Sequence, residues 1–218
     1  VLQIRYFASR APFVYNRFIS NHFLWGVNLN RESRLSFNYL LQTKQLPFSL
    51  DLNYTLIDGF IYLNENIVPS QDNKSFNYFR LKTRKDFLGK RWKSSLLLIG
   101  QYTDGNHLRL PPIIANASVQ YSLPLFKKAL FIYPGMELTF LSGYYADRYM
   151  PALRMFYSQN NKKIKSYPYL DVFMNIKIKQ VRLFLKYAHF NAGLTGYQYY
   201  TIPDYPMYDR KLQFGFSW

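Results

Sequence analysis

The 218-residue chain contains no cysteine, so neither a disulfide framework nor a thiolate metal site can form. No stretch approaches about 18 consecutive apolar residues, which excludes a membrane-spanning α-helix on length alone. Acidic residues are also scarce: 12 Asp and Glu stand against 28 Lys and Arg, a net charge of +16. Such a surplus ordinarily indicates a nucleic-acid or anionic-membrane partner, and only the placement of the charges can distinguish them.

Large aromatic side chains, by contrast, are abundant. The chain holds 21 Tyr and 19 Phe, aromatics make up 20% of the residues, and the mean hydropathy is nevertheless −0.23. A soluble protein rarely carries so many rings without a matching aliphatic core. A membrane β-barrel needs rings at both water–lipid boundaries and polar residues inside, so this composition favours a barrel.

Apolar residues recur at every second position in the most regular segments, which is the period of a β-strand. The positions between them are mostly Ser, Thr, Asn, Gln, Asp and Lys, so each strand has one apolar and one polar face. The pattern is clearest over Leu35 to Leu41, Phe48 to Leu56, Ile113 to Tyr121 and Leu170 to Ile178.

The connections between the predicted strands alternate in length. Short ones are predicted at Thr43 to Leu46, Asp86 to Lys90, Leu123 to Lys127 and Lys179 to Gln180. Long ones, rich in Pro, Asn and Tyr, are predicted at Ser9 to Asn21, Asn64 to Lys74, Thr103 to Pro112, Tyr144 to Tyr167 and Asn191 to Tyr208. Tight periplasmic turns at one end and longer external loops at the other are typical of an outer-membrane barrel.

We therefore predict an all-β fold, a transmembrane antiparallel β-barrel, with residues 1–218 as a single outer-membrane β-barrel domain of about ten strands. A soluble β-sandwich or lipocalin-like barrel shows the same alternation and is the alternative. The chain opens on Val1-Leu-Gln-Ile-Arg-Tyr6, a strand pattern without initiator Met or signal peptide. We expect it to be N-terminally incomplete and the C-terminal part of a larger barrel. A change of phase at Asp58-Gly59 predicts a bulge in a strand running from Phe48 to Leu63.

The last strand, Lys211 to Trp218, alternates like the others. Its apolar side chains should face lipid, and Phe214, Phe216 and Trp218 form the predicted membrane-insertion signal. In lipid this strand must pair with a first strand, because an open sheet edge is not tolerated there.

If the apolar faces meet lipid, the opposite faces line the lumen and decide which solutes pass. The cations predicted there outnumber the acids, and such a positive lumen would favour anions. Alternatively, these cations pair with carboxylates on strands outside this chain. The predicted pore-lining residues are Arg5, Arg80, Lys82, Arg84, Lys93, Lys177, Arg182, Lys186, Lys211, Asp51, Glu137 and Asp171.

A second group of cations falls at the short turns, where long basic side chains can reach lipid phosphates and fix the depth of a barrel. Because this group forms no contiguous stripe with aromatic readers, we expect no nucleic-acid partner. The same turns, or the external loops, could contact partner proteins, or the turns could simply be solvated. The group comprises Lys44, Lys85, Lys90, Arg91, Lys127, Lys128 and Lys179.

The three histidines, His22, His107 and His189, have no spacing that would build a zinc site, and we predict no metal site and no cofactor. We expect them in water or at the rim, with His189 on the apolar face near the outer boundary. No motif nominates a nucleophile, so we predict no catalytic residue and no enzyme activity.

The connection from Asn191 to Tyr208 is rich in Tyr and stiffened by Pro203 and Pro206. Exposed Tyr on such a loop would suit recognition of a partner, since Tyr offers large contact area at low entropy cost. The alternative is that the rings pack on other loops or fold inward as a constriction.

Several short strings occur along the chain in the order that one known family shows. They are Ser20-Asn-His-Phe-Leu-Trp25, Phe60-Ile-Tyr62, Pro69-Ser-Gln71, Tyr167-Pro-Tyr-Leu-Asp171-Val-Phe173, Asn175-Ile-Lys-Ile-Lys179, Tyr187-Ala-His189 and Pro203-Asp-Tyr-Pro-Met207. In these strings the chain resembles the C-terminal half of the putative porin family of Bacteroidota outer membranes. The resemblance implies an outer-membrane β-barrel that passes small solutes, without enzyme activity or catalytic residues.

The expected function is thus passive passage of small solutes through a porin-like barrel in the bacterial outer membrane, favouring anions, with outer-membrane lipid as its surroundings. The alternative is a plugged barrel that serves as a structural or assembly subunit of an outer-membrane complex. This expectation of function rests on similarity of fold, and the same fold can serve as an open channel or as a structural subunit.

Overall fold

A computed structural model describes residues 1–43, 47–194 and 196–218. In them the chain forms nineteen strands, a short helix α1 (Phe13–Asn16) and a 3-10 turn (Phe126–Lys128). Neither helical segment in the described ranges is long and apolar enough to cross a membrane. The strands are β1 (Leu2–Ser9), β2 (Arg17–Ile19), β3 (Leu24–Gly26), β4 (Glu32–Thr43), β5 (Phe48–Asp58), β6 (Ile61–Leu63), β7 (Pro69–Gln71), β8 (Phe76–Leu88), β9 (Trp92–Thr103), β10 (Ile113–Tyr121), β11 (Leu123–Leu125), β12 (Leu130–Leu141), β13 (Arg148–Met150), β14 (Met155–Tyr157), β15 (Tyr167–Ile178), β16 (Val181–Ala188), β17 (Tyr200–Ile202), β18 (Tyr205–Pro206) and β19 (Lys211–Ser217).

Ten strands form one antiparallel sheet in the order β1, β4, β5, β8, β9, β10, β12, β15, β16, β19, and β11 pairs with β12 beside this path. The other eight strands form four short hairpins, β2–β3, β6–β7, β13–β14 and β17–β18. The predictions of an all-β antiparallel fold and of about ten strands are confirmed. The edge strands β1 and β19 do not pair with each other, so the sheet is open.

The register of the sheet keeps like residues in rows. Tyr39 lies opposite Leu52, Leu52 opposite Leu81, and Leu81 opposite Gly100. Because side chains alternate with a period of two, a slip of one residue would turn a whole strand over. The ten strands together therefore present one continuous apolar face, on which Leu52 lies, and a polar face on the other side.

The alternation of connections is confirmed by the structure. The described short connections, residues 89–91, 122–129 and 179–180, lie at one end of the sheet, the short-turn end. The fourth short connection, predicted over Thr43 to Leu46, falls largely outside the described residues. The long connections, residues 10–31, 59–75, 104–112, 142–166 and 189–210, lie at the other end, and their described parts are called the loop cap.

The largest fully buried side chains lie in the loop cap. Leu63, His189 and Pro203 are the largest fully buried side chains, while Phe79 on the apolar face is 48% exposed and Phe214 is 79% exposed. Large apolar residues exposed on one continuous face mark a surface that contacts another protein or a lipid.

The predicted bulge at Asp58-Gly59 is wrong. β5 ends at Asp58 without a register shift against β8, and the chain turns there into the β6–β7 hairpin. Gly59 has a φ of +63°, and a Cβ on it would lie 2.9 Å from the carbonyl oxygen of Arg31. The change of phase in the sequence marks the end of the strand.

Gly135 on β12 should tolerate no side chain. A Cβ there would lie 2.5 Å from Cζ of Phe173, directly opposite on β15, and 2.6 Å from the carbonyl oxygen of Val119. Because backbone must move, we expect Gly135→Ala to lower the free energy of unfolding by about 1–3 kcal/mol, the usual cost of overpacking. Urea unfolding in detergent measures it.

Gly100 provides the matched control, since a Cβ there meets nothing within 4 Å. We expect Gly100→Ala to change the free energy of unfolding by less than about 0.5 kcal/mol, because the added methyl group displaces no neighbouring atom. Equal effects of the two substitutions would contradict the packing of Phe173 over Gly135.

Candidate lumen face and loop cap

Charge is segregated between the two faces of the sheet. The ten strands contain 17 charged residues, and all but Asp58 and Lys85 project from the polar face. The two exceptions lie near strand ends. All twelve predicted pore-lining residues lie on this face, namely Arg5, Arg80, Lys82, Arg84, Lys93, Lys177, Arg182, Lys186, Lys211, Asp51, Glu137 and Asp171.

Three further charged residues share the polar face and were missed by the sequence reading: Glu32, Arg34 and Asp86. Glu32 and Arg34 have the same parity as Ser36 on β4, which is the signal that could have found them. Asp86 was predicted in a short turn but belongs to β8. The face therefore carries ten cations and five acids.

All five acids of the polar face are engaged by cations of the same face. The contacts are Arg34–Glu32 (2.5 Å), Arg80–Asp51 (3.3 Å), Arg84–Asp86 (3.1 Å), Lys186–Asp171 (2.5 Å) and Lys186–Glu137 (3.6 Å). Within the described residues, six cations have no carboxylate within 4 Å: Arg5, Lys82, Lys93, Lys177, Arg182 and Lys211. The surplus charge of the face is thus unpaired in these strands.

Lys186 bridges two carboxylates on neighbouring strands. Glu137 of β12 lies directly opposite Asp171 of β15, an arrangement of like charges that is unfavourable by itself. The Lys186 ammonium contacts both, and the side-chain amide of Asn116 donates to Glu137 at 2.9 Å. The Asp171 side chain is only 5% exposed, so removal of Lys186 would leave a buried charge without a counterion.

His189 lies in a different place from the one predicted. β16 ends at Ala188 and His189 has a φ of +56°, which breaks the alternation that would have put its ring on the apolar face. The ring is fully buried among tyrosines at the polar face. Its Nε2 lies 2.9 Å from the Tyr167 hydroxyl, its Nδ1 lies 2.6 Å from the carbonyl oxygen of Tyr208, and its backbone N–H donates to Asp171.

The Tyr-rich connection after His189 folds partly inward. Tyr199 is 2% exposed and packs on His189 and Tyr167. The Tyr208 hydroxyl bonds that of Tyr169, which projects from the polar face. A hydrogen bond to the Asp209 carboxylate raises the pKa of Tyr199 to about 12. Tyr197, at 72% exposed, faces outward, so the loop holds both inward-packed and exposed tyrosines.

The long connections are tied to one another within the loop cap. The Arg148 guanidinium lies 2.5 Å from Asp204, and Lys162 lies 3.5 Å from the same carboxylate. The backbone N–H of Ser158 donates to the carbonyl of Leu63 at 2.8 Å. Further contacts join His107 to Asp72 (2.7 Å) and stack its ring on Tyr62. The cap is therefore a packed structure built across several loops.

Two buried polar groups in the loop cap lack hydrogen-bond partners, Nε of Arg109 and Oδ1 of Asp147. Burial raises the pKa of the Asp147 carboxyl, and the nearby Arg109 charge opposes that rise. The charged form of Asp147 is thus disfavoured in the folded cap. The charge on Asp147 therefore lowers the stability of the folded cap at pH values above the raised pKa. This destabilisation disappears as the pH falls below about 3.8, the ordinary pKa of Asp.

We therefore expect Asp147→Asn to raise the melting temperature of the cap near pH 7 and to leave it unchanged near pH 3. Near-ultraviolet circular dichroism follows the transition, because Trp25 is buried in the cap. Asp204→Asn is the matched control: this acid is paired with Arg148 and Lys162, so its substitution should lower the melting temperature near pH 7. A lower melting temperature for Asp147→Asn would show that Asp147 has a stabilising partner.

The predicted insertion-signal residues lie together at the free edge of the sheet. Phe214 and Phe216 project from the apolar face of β19 and are 79% and 66% exposed, and Trp218 follows them at the short-turn end. Among the described residues, no group of three or more His, Asp and Glu side chains is placed to hold a metal ion.

Comparison with known proteins supplies a family. No curated protein and no solved structure matches the chain. The model of one protein family, described as putative porin, matches residues 1–218, the whole chain. The match agrees with the all-β antiparallel fold and with the resemblance noted in the sequence. The chain therefore belongs to the putative porin family.

Proposed function

We propose that this chain forms the wall of an outer-membrane channel that passes small solutes and favours anions. The observation that carries the proposal is the segregation of charge: 15 of 17 charged strand residues lie on one face, and the opposite face consists largely of exposed apolar and aromatic side chains. This division fits a wall with lipid on one side and an aqueous lumen on the other.

The dimensions of the apolar face support a membrane location. On β15 it runs without a charge from Pro168 to Ile178. The ten rises of about 3.3 Å between Pro168 and Ile178 span about 33 Å along the strand. A tilt of about 40° reduces this to about 25 Å, the height of the apolar band of an outer-membrane barrel.

The unpaired cations of the polar face support the preference for anions. Their charges lie where solutes would pass, and rings of Lys and Arg lower the electrostatic barrier to anions. Lys177 and Arg182 lie directly opposite each other on β15 and β16, which concentrates positive charge near the short-turn end.

The open sheet supports a barrel of more than these ten strands. Both edges, β1 and β19, present unpaired backbone groups, and lipid tolerates no such edge. A wide aqueous channel needs about 16 strands, whereas small barrels are nearly filled by side chains. We propose that further strands pair with the two edges and close the barrel.

Recording from the protein in planar bilayers tests the proposal. A potassium chloride gradient should give a reversal potential that shows chloride passing more readily than potassium. A clear preference for potassium would contradict the proposed anion selectivity while leaving the channel in place. Absence of any conductance would contradict the channel itself.

The loop cap favours a second candidate, a plugged barrel that holds partner proteins in an outer-membrane complex. The cap is cross-linked by Arg148, Asp204 and Lys162, and Tyr199 and Tyr208 pack inward against the polar face. Stoichiometric partners in a purified complex, together with a silent isolated barrel, would select this candidate.

A further inference from the structure

Positive charge predominates at the short-turn end of the sheet, and the one acidic side chain described there, that of Asp86 near the end of β8, is paired with Arg84. The four short connections contain six Lys and Arg residues and no Asp or Glu, whereas the long connections contain six acids among their cations. We call the described cations at this end the basic rim: Lys85, Lys90, Arg91, Lys127, Lys128 and Lys179. Lys44, predicted in the same group, lies outside the described residues.

The basic rim is available to a ligand. All six of its residues are exposed, and none forms an ion pair within the described part of the chain. Arg91 donates a hydrogen bond to the Tyr121 hydroxyl at 3.3 Å, and the Lys85 ammonium lies 4.9 Å from the centre of the Phe87 ring. Neither contact neutralises a charge.

The turn between β11 and β12 presents its side chains at a cost in backbone strain. Phe126, Lys127 and Lys128 have φ values of 48°, 51° and 71°, the left-handed region that non-glycine residues rarely adopt. Phe126 is 77% exposed at this turn. The turn therefore combines an exposed ring with two cations, the combination found where proteins enter the headgroup region of a membrane.

Tryptophans accompany the rim on the apolar face. Trp92 begins β9 and is 57% exposed, and Trp218 follows β19 and is 87% exposed. Trp is enriched at membrane–water interfaces because its ring is apolar and its N–H is polar. The third tryptophan, Trp25, is 6% exposed in the loop cap at the opposite end.

We infer that the basic rim binds the phosphates of anionic phospholipids, in the leaflet that the short-turn end enters, with Trp92 and Trp218 at headgroup level. The inference rests on the proposed membrane location. A lipid surface fits better than an acidic protein, because the cations are distributed over three of the four short turns and stand beside exposed rings on the apolar face. Cations distributed in this way along one end of the sheet, beside exposed aromatic side chains, match the surface of a bilayer.

The tryptophans allow a direct test. The protein is placed in vesicles of phosphatidylcholine or phosphatidylglycerol with brominated chains, and quenching of tryptophan fluorescence gives the relative affinity of the two lipids. Trp92 and Trp218 report on the short-turn end, while Trp25 is shielded. Since each bound headgroup meets about one rim cation, we expect roughly a fivefold preference for phosphatidylglycerol, decreasing with salt.

Two quadruple variants that lose the same charge distinguish an effect of the basic rim from an effect of the net charge of the protein. Lys90→Gln, Lys127→Gln, Lys128→Gln and Lys179→Gln together should bring the preference to about one. Arg17→Gln, Lys74→Gln, Arg154→Gln and Lys163→Gln, four exposed positions in the loop cap, should keep it.

Each outcome is decisive. Equal quenching by both lipids in the unmodified protein would overturn the inference and leave an acidic protein as the rim's partner, while the proposed channel would stand. Quenching by neither lipid would show that the tryptophans do not meet a bilayer, which contradicts the proposed membrane location itself. Loss of the preference in the loop-cap variant as well would reduce the effect to net charge and also overturn the inference.

Discussion

Replacement of Lys82, Lys177 and Arg182 by glutamate is expected to reverse the ion preference of the proposed channel from chloride to potassium. The three side chains project from the polar face without ion pairs in the described residues. The change turns ten cations and five acids on that face into seven cations and eight acids. A single charge at about 4 Å is worth about 1 kcal/mol even in water, so the permeability ratio should shift by about tenfold or more. The reversal potential in a potassium chloride gradient measures the change.

The control has the same change in charge outside the proposed lumen. Arg17→Glu, Lys74→Glu and Lys163→Glu alter exposed positions of the loop cap, where water and salt screen their effect on passing ions. This variant should keep the preference for chloride. If both triple variants shift the reversal potential equally, or neither does, the polar face of these strands does not determine selectivity.

His189→Ala is expected to raise the conductance of the proposed channel by releasing the connection over residues 189–210 from the polar face. The substitution removes the ring that contacts the Tyr167 hydroxyl and the carbonyl of Tyr208. The Tyr167 hydroxyl keeps the carbonyl of Asn191 as a partner at 3.3 Å, whereas the Tyr208 carbonyl loses the imidazole. Loss of this one partner should lower the stability of the inward-folded loop by about 1–3 kcal/mol. Single-channel recording and hydrogen exchange of the loop measure the two effects.

Tyr197→Ala in the same loop is the matched control, because its ring is 72% exposed. It should leave both conductance and hydrogen exchange nearly unchanged. Faster exchange without a rise in conductance in His189→Ala would mean that this loop does not restrict the lumen. No change in either measurement would contradict the anchoring role of His189.

The sheet was largely predictable from the sequence because successive side chains of a strand point to opposite faces. Odd-numbered and even-numbered residues of one strand therefore differ in polarity. Tyr39, Leu52 and Leu81 have apolar neighbours two positions away, and pairing then brings them into one row. Parity also placed Lys177 and Arg182 on the same face before their pairing was known. Errors came at strand ends, where Asp86 was taken for a turn residue.

The loop cap could not be predicted in the same way, because its contacts join residues far apart in the sequence and follow no period. The pairing of Arg148 with Asp204, and that of Ser158 with Leu63, depend on how whole connections fold over one another. The position of His189 could not be predicted either, although it depends on the conformation of a single residue. Nothing in its neighbours reveals the positive φ that turns its ring inward.

The register of the sheet has a consequence for how the gene can change. Loss or gain of one codon at the start of β8 would leave its pairing possible but would move Arg80, Lys82 and Arg84 to the apolar face and Phe79 and Leu81 to the other. A pair of lost codons would keep the parity and only shorten the strand. Insertions and deletions of odd length should therefore be absent from the ten strands among functional relatives and should accumulate in the long connections, which carry no such parity.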